Sequence, residues 1–241
     1  MMNKVAIVGC NSFIGMQLTP FLKFNGYEVT GLSKSKSEYT DQFIDLAKSE
    51  SINLDCLNEM DYVIVAAAIS SPDKCENQFE LCYKINVQGT SFLIHEALKR
   101  KCKVIFFSSD AVYGDDIGIP FTENTPTNPI SNYGKMKNLV EMSFGNEKNF
   151  KALRLSYVFS YYDKFTQYYL SCLKNREKAQ IFHPLYRNVI CLADLLQTVK
   201  VLMERWESIQ SNIVNVCGDE LISRVNLADI INSTFAPQLC E

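Results

Sequence analysis

Lys4-Val-Ala-Ile-Val-Gly-Cys-Asn-Ser-Phe-Ile-Gly15 contains an apolar run, Val5 to Val8, broken at Gly9 and followed by a helical pattern. A run of this length that ends in glycine reads as a buried parallel strand and its βα turn. The first amides of the following helix have no acceptor within the helix, and the helix dipole favours negative charge there, so the turn can hold a phosphate. Gly9 permits the tight turn, and Gly15 lets the helix pack closely on the sheet. Ser12 stands where a dinucleotide fingerprint has its middle glycine. The motif is therefore incomplete, and alone it does not separate a nucleotide site from ordinary glycine punctuation.

Working outward, Phe13, Ile14, Leu18, Phe21 and Leu22 recur at helical spacing through Pro20, which should bend the helix, and Asn25-Gly26 ends it. Strands are expected at Tyr27 to Leu32, Gln42 to Leu46, Tyr62 to Ala68, Val104 to Phe107 and Ala152 to Leu155, with one long helix from Asn77 to Arg100. Ser131 is expected to cap a helix from Tyr133 to Phe144, after a Pro-containing loop from Gly114 to Ile130. Strands alternating with helices imply right-handed βαβ units and an α/β fold with a doubly wound parallel sheet of the Rossmann type, covering residues 1–155. Residues 156–241 read as a smaller, interleaved C-terminal substrate lobe. Short strands are expected there at Gln180 to Phe182, Val189 to Cys191 and Ile213 to Val216, with helices from Ala193 to Trp206 and from the Ser223 cap to Ile231. The chain ends soon after that helix, so the lobe reads as shortened.

Composition narrows the function. Hydrophobic residues make up 47% and charged residues 21% of 241, enough for a substantial core, and no low-complexity tract is present. A net charge of −3 offers no footprint for nucleic acid. No apolar run approaches the roughly 20 residues of a membrane span and no signal-peptide pattern opens the chain, so a cytoplasmic protein is expected. Nine cysteines without a Cys-x-x-Cys pair read as buried free thiols. Only two histidines, His95 and His183, occur, so a histidine metal site or a Ser-His-Asp hydrolase has little to build on, and no metal is expected.

Tyr133 and Lys137 stand at i and i+4 on one helix face, a spacing that chance supplies about once in a chain with 12 tyrosines. Context gives the pair weight, because Ser109 lies at the end of the fifth strand, 24 residues upstream, at the same rim of strand ends. These residues, with Asp61-Tyr-Val-Ile-Val-Ala-Ala-Ala68, Asn86-Val-Gln-Gly-Thr90, Phe107-Ser-Ser-Asp-Ala-Val-Tyr-Gly114, Asn132-Tyr-Gly-Lys-Met-Lys137 and Arg154-Leu-Ser-Tyr-Val158, resemble the extended short-chain dehydrogenase/reductase superfamily, in its NAD-dependent epimerase/dehydratase branch. Within the branch, Ala66 to Ala68, Asp73-Lys74 and Ser109-Asp110 look most like the dTDP-4-dehydrorhamnose reductases.

The resemblance implies reduction of a keto group on a nucleotide sugar. Tyr133 would be the proton donor, Ser109 would hold the reacting oxygen, and Lys137 would hold the nicotinamide ribose and steady a phenolate whose formation at neutral pH needs about 4 kcal/mol. The implied cofactor contacts are Gly9, Asn11, Ser12, Phe13, Ile14, Gly15, Ser33, Lys34, Asp45, Leu46, Ala66, Ala67, Ala68, Asn86 and Ser108, together with Tyr133 and Lys137. Leu32-Ser-Lys-Ser-Lys36 carries hydroxyls and ammonium groups where NAD-binding members usually place an acid, which favours NADP over NAD. Asp110 reads either as an acid beside the carbonyl or as a loop cap, and Tyr157 and Arg187 are the expected substrate contacts. Ala111 replaces the glutamate of the dehydratases, which argues against dehydration. An epimerase using the same three residues, and a non-catalytic dinucleotide-binding subunit, stay open as alternatives. A homodimer through the Asn77 to Arg100 and Tyr133 to Phe144 helices is implied by analogy.

Overall fold

The computed structural model describes residues 2–115 and 120–239. Strand β1 (Lys4–Val8) passes through the glycine turn into α1 (Gly15–Phe24), which runs through Pro20 and is followed by β2 (Glu28–Ser33), β3 (Gln42–Phe43) and β4 (Tyr62–Val65). Next come α2 (Pro72–Asn77), α3 (Phe79–Tyr83), a π-helical stretch at Lys84–Gly89, α4 (Thr90–Lys99), β5 (Lys103–Ser109), α5 (Asn132–Phe144) and β6 (Phe150–Leu155). The chain continues with β7 (Tyr157–Phe159), α6 (Lys164–Asn175), β8 (Tyr186–Cys191), α7 (Leu192–Glu204), β9 (Ile213–Val216), β10 (Leu221–Ser223) and α8 (Arg224–Leu239).

Seven strands form a parallel sheet in the order β3-β2-β1-β4-β5-β6-β9, a Rossmann-like arrangement. The order reverses between β1 and β4, and the crevice beyond the carboxyl ends at such a switch point is where open α/β sheets bind ligands. The glycine turn sits there. β4 and β6 are buried along their whole lengths, as strands covered on both faces must be. Val8, Val63, Phe106 and Ala152 from the sheet share one core with Leu93, Ile94 and Val140 from the helices. Two compact units result. One contains the chain up to Leu155 together with Thr198–Asn215, and the other contains Ser156–Gln197 and the chain from Val216 onward. The second unit carries its own sheet, β10-β8-β7, with β8 antiparallel to β10 and parallel to β7.

Several elements differ from expectation for identifiable reasons. The third strand is only two residues long, because Asp45 caps a 3-10 turn at Leu46–Ser51 by accepting the Ala47 amide at 3.0 Å. The long helix is interrupted at Gln78, whose backbone (φ −131°, ψ 48°) is not helical, and again by the π-helical stretch. Gln180 to Phe182 forms no strand, while α2, α6, β7 and β10 were not expected. Helix α8 runs past Ile231 to Leu239. The cysteines are free, but Cys191 and Cys217 are exposed rather than buried, and Cys240 lies outside the described residues. Residues 116–119 of the Pro-containing loop lie outside them too. No described helix is long and apolar enough to cross a membrane.

Candidate functional site

The first part of the site is made of backbone. Gly9 has φ +90°, and a Cβ there would lie 2.5 Å from the Ala67 amide nitrogen. A Cβ on Gly15 would lie 2.1 Å from the Gly9 carbonyl oxygen. The turn is thus pressed against the Ala66–Ala67 backbone at the end of β4, and only glycine allows this approach. Ser12 accepts the Gly15 amide at 3.1 Å through its Oγ, so its hydroxyl closes the turn and keeps its own proton for a ligand. Phe13 and Ile14 follow at the head of α1.

Around the adenosine side expected from sequence, Lys34 Nζ lies 3.2 Å from the Asp45 carboxylate. Burial disfavours the charged carboxylate, but the Ala47 amide and the Lys34 ammonium outweigh it and hold its pKa below the usual range. Asn11 clamps the neighbouring loop. Its Nδ2 donates to the Ser35 carbonyl at 2.6 Å, and its Oδ1 accepts from the Ser37 and Thr40 hydroxyls. Ser33 is buried, and its Oγ accepts the Ser35 amide at 3.3 Å. Leu46 packs under the π-helical stretch so closely that a Cβ on Gly89 would lie 2.0 Å from its carbonyl oxygen. Asn86, in that stretch, pairs with both backbone groups of Ile69, at 2.8 and 2.9 Å, and so fixes the segment that follows Ala66 to Ala68.

The second part is made of side chains on β5 and α5. Ser131 caps α5 as expected, accepting the Gly134 amide at 3.1 Å, and the helix then carries Tyr133, Lys137 and Glu141 at four-residue spacing on one face. Ser109, at the end of β5, lies beside the Tyr133 hydroxyl. Its Oγ accepts the Ala111 amide at 3.2 Å and donates to Asp110 at 3.1 Å. Ser109 is therefore the cap of the short 3-10 turn, and the Asp110 carboxylate faces the Tyr133 phenol. Burial, then Asp110, raise the phenol pKa well above its ordinary value, and the Ser109 hydroxyl only partly opposes them. The phenol is firmly neutral.

Lys137 is buried. Its Nζ donates to the Phe107 carbonyl at 2.6 Å and lies 4.5 Å from the Phe106 ring centroid and 5.8 Å from that of Tyr133. The ammonium thus lies near the phenol ring but is bonded to the strand rather than to the phenol oxygen. Burial lowers its pKa to about 8, against the opposing pull of Glu141.

Ser108 points away from Ser109, as alternation along a strand requires. It is buried, and its hydroxyl donates to Glu141. Arg154, its register partner on β6, holds the same carboxylate with Nη2 at 2.7 Å and Nε at 3.0 Å, and donates Nη1 to Tyr113 at 2.8 Å. This carboxylate was missed at the sequence level. Its position four residues beyond Lys137 was the available signal.

Tyr157 and Arg187 lie in the second unit and line one small cavity with Arg224. The Tyr157 hydroxyl donates to Asp163, and the Arg224 guanidinium stacks 4.0 Å above the Tyr157 ring. Arg224 Nη1 is buried without a hydrogen-bond partner among the described residues. The described residues include no cluster of three or more His, Cys, Asp or Glu side chains suited to a metal.

The chain is 28% identical over 162 residues to the spore coat polysaccharide biosynthesis protein SpsK of Bacillus subtilis (strain 168), a match covering 66% of this chain and 55% of that protein. It is 25% identical to the dTDP-4-dehydrorhamnose reductase of Aggregatibacter actinomycetemcomitans, across 100% of this chain and 82% of the relative. Its fold superposes with a TM-score of 0.83 on the crystal structure of a hypothetical dTDP-4-dehydrorhamnose reductase from Sulfolobus tokodaii, at 26% identity, covering 96% of this chain and 82% of that one. Residues 2–238 match the family described as RmlD substrate binding domain, and the chain belongs to that family.

Proposed function

We propose that this chain reduces a keto group of a nucleotide sugar at the expense of a nicotinamide dinucleotide, with NADP preferred. The observation that carries the reading is the neutral Tyr133 phenol beside Ser109, with the buried Lys137 ammonium 5.8 Å from its ring centroid. The glycine turn fits a dinucleotide, because its close backbone approach leaves no Cβ at Gly9 or Gly15 in the way of a pyrophosphate. When bound, the dinucleotide supplies hydride.

The chain's residues do the rest. Ser109 orients the keto oxygen by hydrogen bonding. Tyr133, kept protonated by burial, donates its proton to that oxygen as negative charge develops. Lys137 would hold the ribose hydroxyls and offset the phenolate left behind. Asp45 and Leu46 would border the adenine, and Lys34 and Ser33 the ribose 2′-phosphate. Lys34 is exposed and can turn from Asp45 to a phosphate. In the second unit, taken as the substrate lobe, Tyr157 and Arg187, which line one small cavity, are the substrate contacts of this reading. Leu139 and Met142, 41% and 72% exposed on α5, are the apolar surface that a homodimer would cover.

The test mixes the protein with NADPH and a panel of 4-keto nucleotide sugars while nicotinamide absorbance is followed. Stoichiometric NADPH oxidation with at least one of them is expected. Interconversion of unreduced sugar epimers without net oxidation would replace the reading with an epimerase. Cofactor binding without any turnover would replace it with a regulatory subunit.

A further inference from the structure

We propose that Glu141 is a positioning residue for this reaction, a buried carboxylate held by Arg154 and Ser108 that keeps Lys137 charged beneath Tyr133; the proposal rests on the reductase reading above. Three observations carry it. Tyr133, Lys137 and Glu141 recur at four-residue spacing on α5, so the residue that carries the carboxylate follows the one that carries the ammonium by one helical turn. Its partners come from two adjacent strands at one register position, Ser108 on β5 and Arg154 on β6, and they leave the carboxylate no freedom to turn away. The residue before Arg154's β5 partner, Phe107, supplies the carbonyl that receives Lys137. One network therefore fixes both the strand end that carries Ser109 and the ammonium below Tyr133.

The groups around Lys137 show why this carboxylate matters. From α5 it faces Glu141 and the neutral phenol of Tyr133. From β5 it meets the Phe107 carbonyl and the Phe106 ring. From α2 it faces Cys75, whose thiol is pushed up to about 12 by burial, with Cys82 adding to the shift, and so carries no charge near neutral pH. Arg154 reaches this group only through Glu141, and Asp110 bears on the phenol. Among these groups Glu141 is the anion that acts on Lys137 at neutral pH. A buried ion pair such as Arg154–Glu141 contributes little net stability compared with apolar side chains of similar size, so stability alone gives no reason for it.

The experiment follows the titration of Lys137 directly, by NMR of protein with ¹³Cε-labelled lysine, the Lys137 resonance being assigned with Lys137→Arg. In Glu141→Gln, the Lys137 midpoint should fall by about 1 unit or more, and the alkaline limb of kcat/KM should move down with it. Glu141→Asp should bring both back toward the native position. Because Glu141→Gln leaves Arg154 unpaired and can fail to fold, a second variant, Glu141→Met/Arg154→Met, removes both charges together and should show the same downward shift. An unmoved Lys137 midpoint in either folded variant overturns the proposal. So does a Glu141→Asp protein that shifts as far as Glu141→Gln. The NMR titration needs no turnover, so a native protein inactive on every keto sugar refutes the reductase reading without deciding the role of Glu141.

Discussion

The glycine turn and the Ser109–Tyr133–Lys137 cluster lie at the same rim of the same unit, yet they are built by opposite means. The turn works because side chains are missing. Gly9 and Gly15 bring backbone to within 2.1–2.5 Å of where a Cβ would stand, so the contacts that shape the proposed pyrophosphate site also pack α1 on the sheet. The proposed catalytic cluster places charge where burial penalises it. Taking Lys137 from its ordinary pKa to about 8 corresponds to about 3 kcal/mol of destabilisation at neutral pH. At the turn, binding and stability share the same atoms. At the cluster they oppose one another, the usual condition of a site whose chemistry needs buried charge.

This contrast is sharpest in a pair of substitutions. Lys137→Met should lower kcat/KM by about 10³-fold and yet raise the thermal midpoint, because an apolar side chain replaces a buried ammonium. A fall in both would show that Lys137 is stabilising where it stands. Gly9→Ala should move both quantities downward. Strain at φ +90° and the clash with Ala67 should cost about 2–4 kcal/mol of stability and weaken dinucleotide binding by more than tenfold, as calorimetry and fluorescence titration would reveal.

Acidity separates the two regions next. Lys137 loses its charge as pH rises through about 8, so kcat/KM should fall on the alkaline side near that value. Stability should do the reverse. Between about 8 and the ordinary lysine value of 10.5 the unfolded chain binds more protons than the folded one, so stability rises with pH across that window. Denaturant melts from pH 7 to 10 would show either this rise or its absence. The smallest expected effect is at the adenosine edge, where Lys34→Ala should weaken NADPH binding about three- to tenfold while leaving NADH binding unchanged. An equal loss for both cofactors would remove the basis for the NADP preference.

The same contrast explains what was legible in the sequence. Buried parallel strands and a glycine turn are local patterns, and β1, β4, β5, β6 and β9 stand close to where apolar runs place them. The helix before Gln78, α2, was hidden because its sequence Pro72-Asp-Lys-Cys-Glu-Asn77 carries one buried residue, Cys75, and no apolar period. Helix α6 had a readable start in Asp163, which accepts the Phe165 and Thr166 amides at 2.9 and 3.2 Å, and its amphipathic pattern was legible as well. The three-residue strands β7 and β10 owe their existence to pairing with β8 rather than to any run of their own. At the site, Tyr133 and Lys137 share a helix face and were visible. Glu141 needed Arg154, 13 residues further on, and Ser108, 33 residues before it, to gain meaning. Alternation along β5 could have separated Ser108 from Ser109. It could not have shown that the Ser108 hydroxyl is committed to a buried carboxylate.

The central claim is that a neutral, buried phenol delivers the proton. It is tested most directly by comparing Tyr133→Phe with the native protein in NADPH oxidation with the keto sugar that the native protein reduces, alongside NADPH titration of both. The account predicts a loss of turnover of about 10²–10⁴-fold with cofactor affinity within a factor of three. Turnover that survives the loss of this one hydroxyl would contradict it.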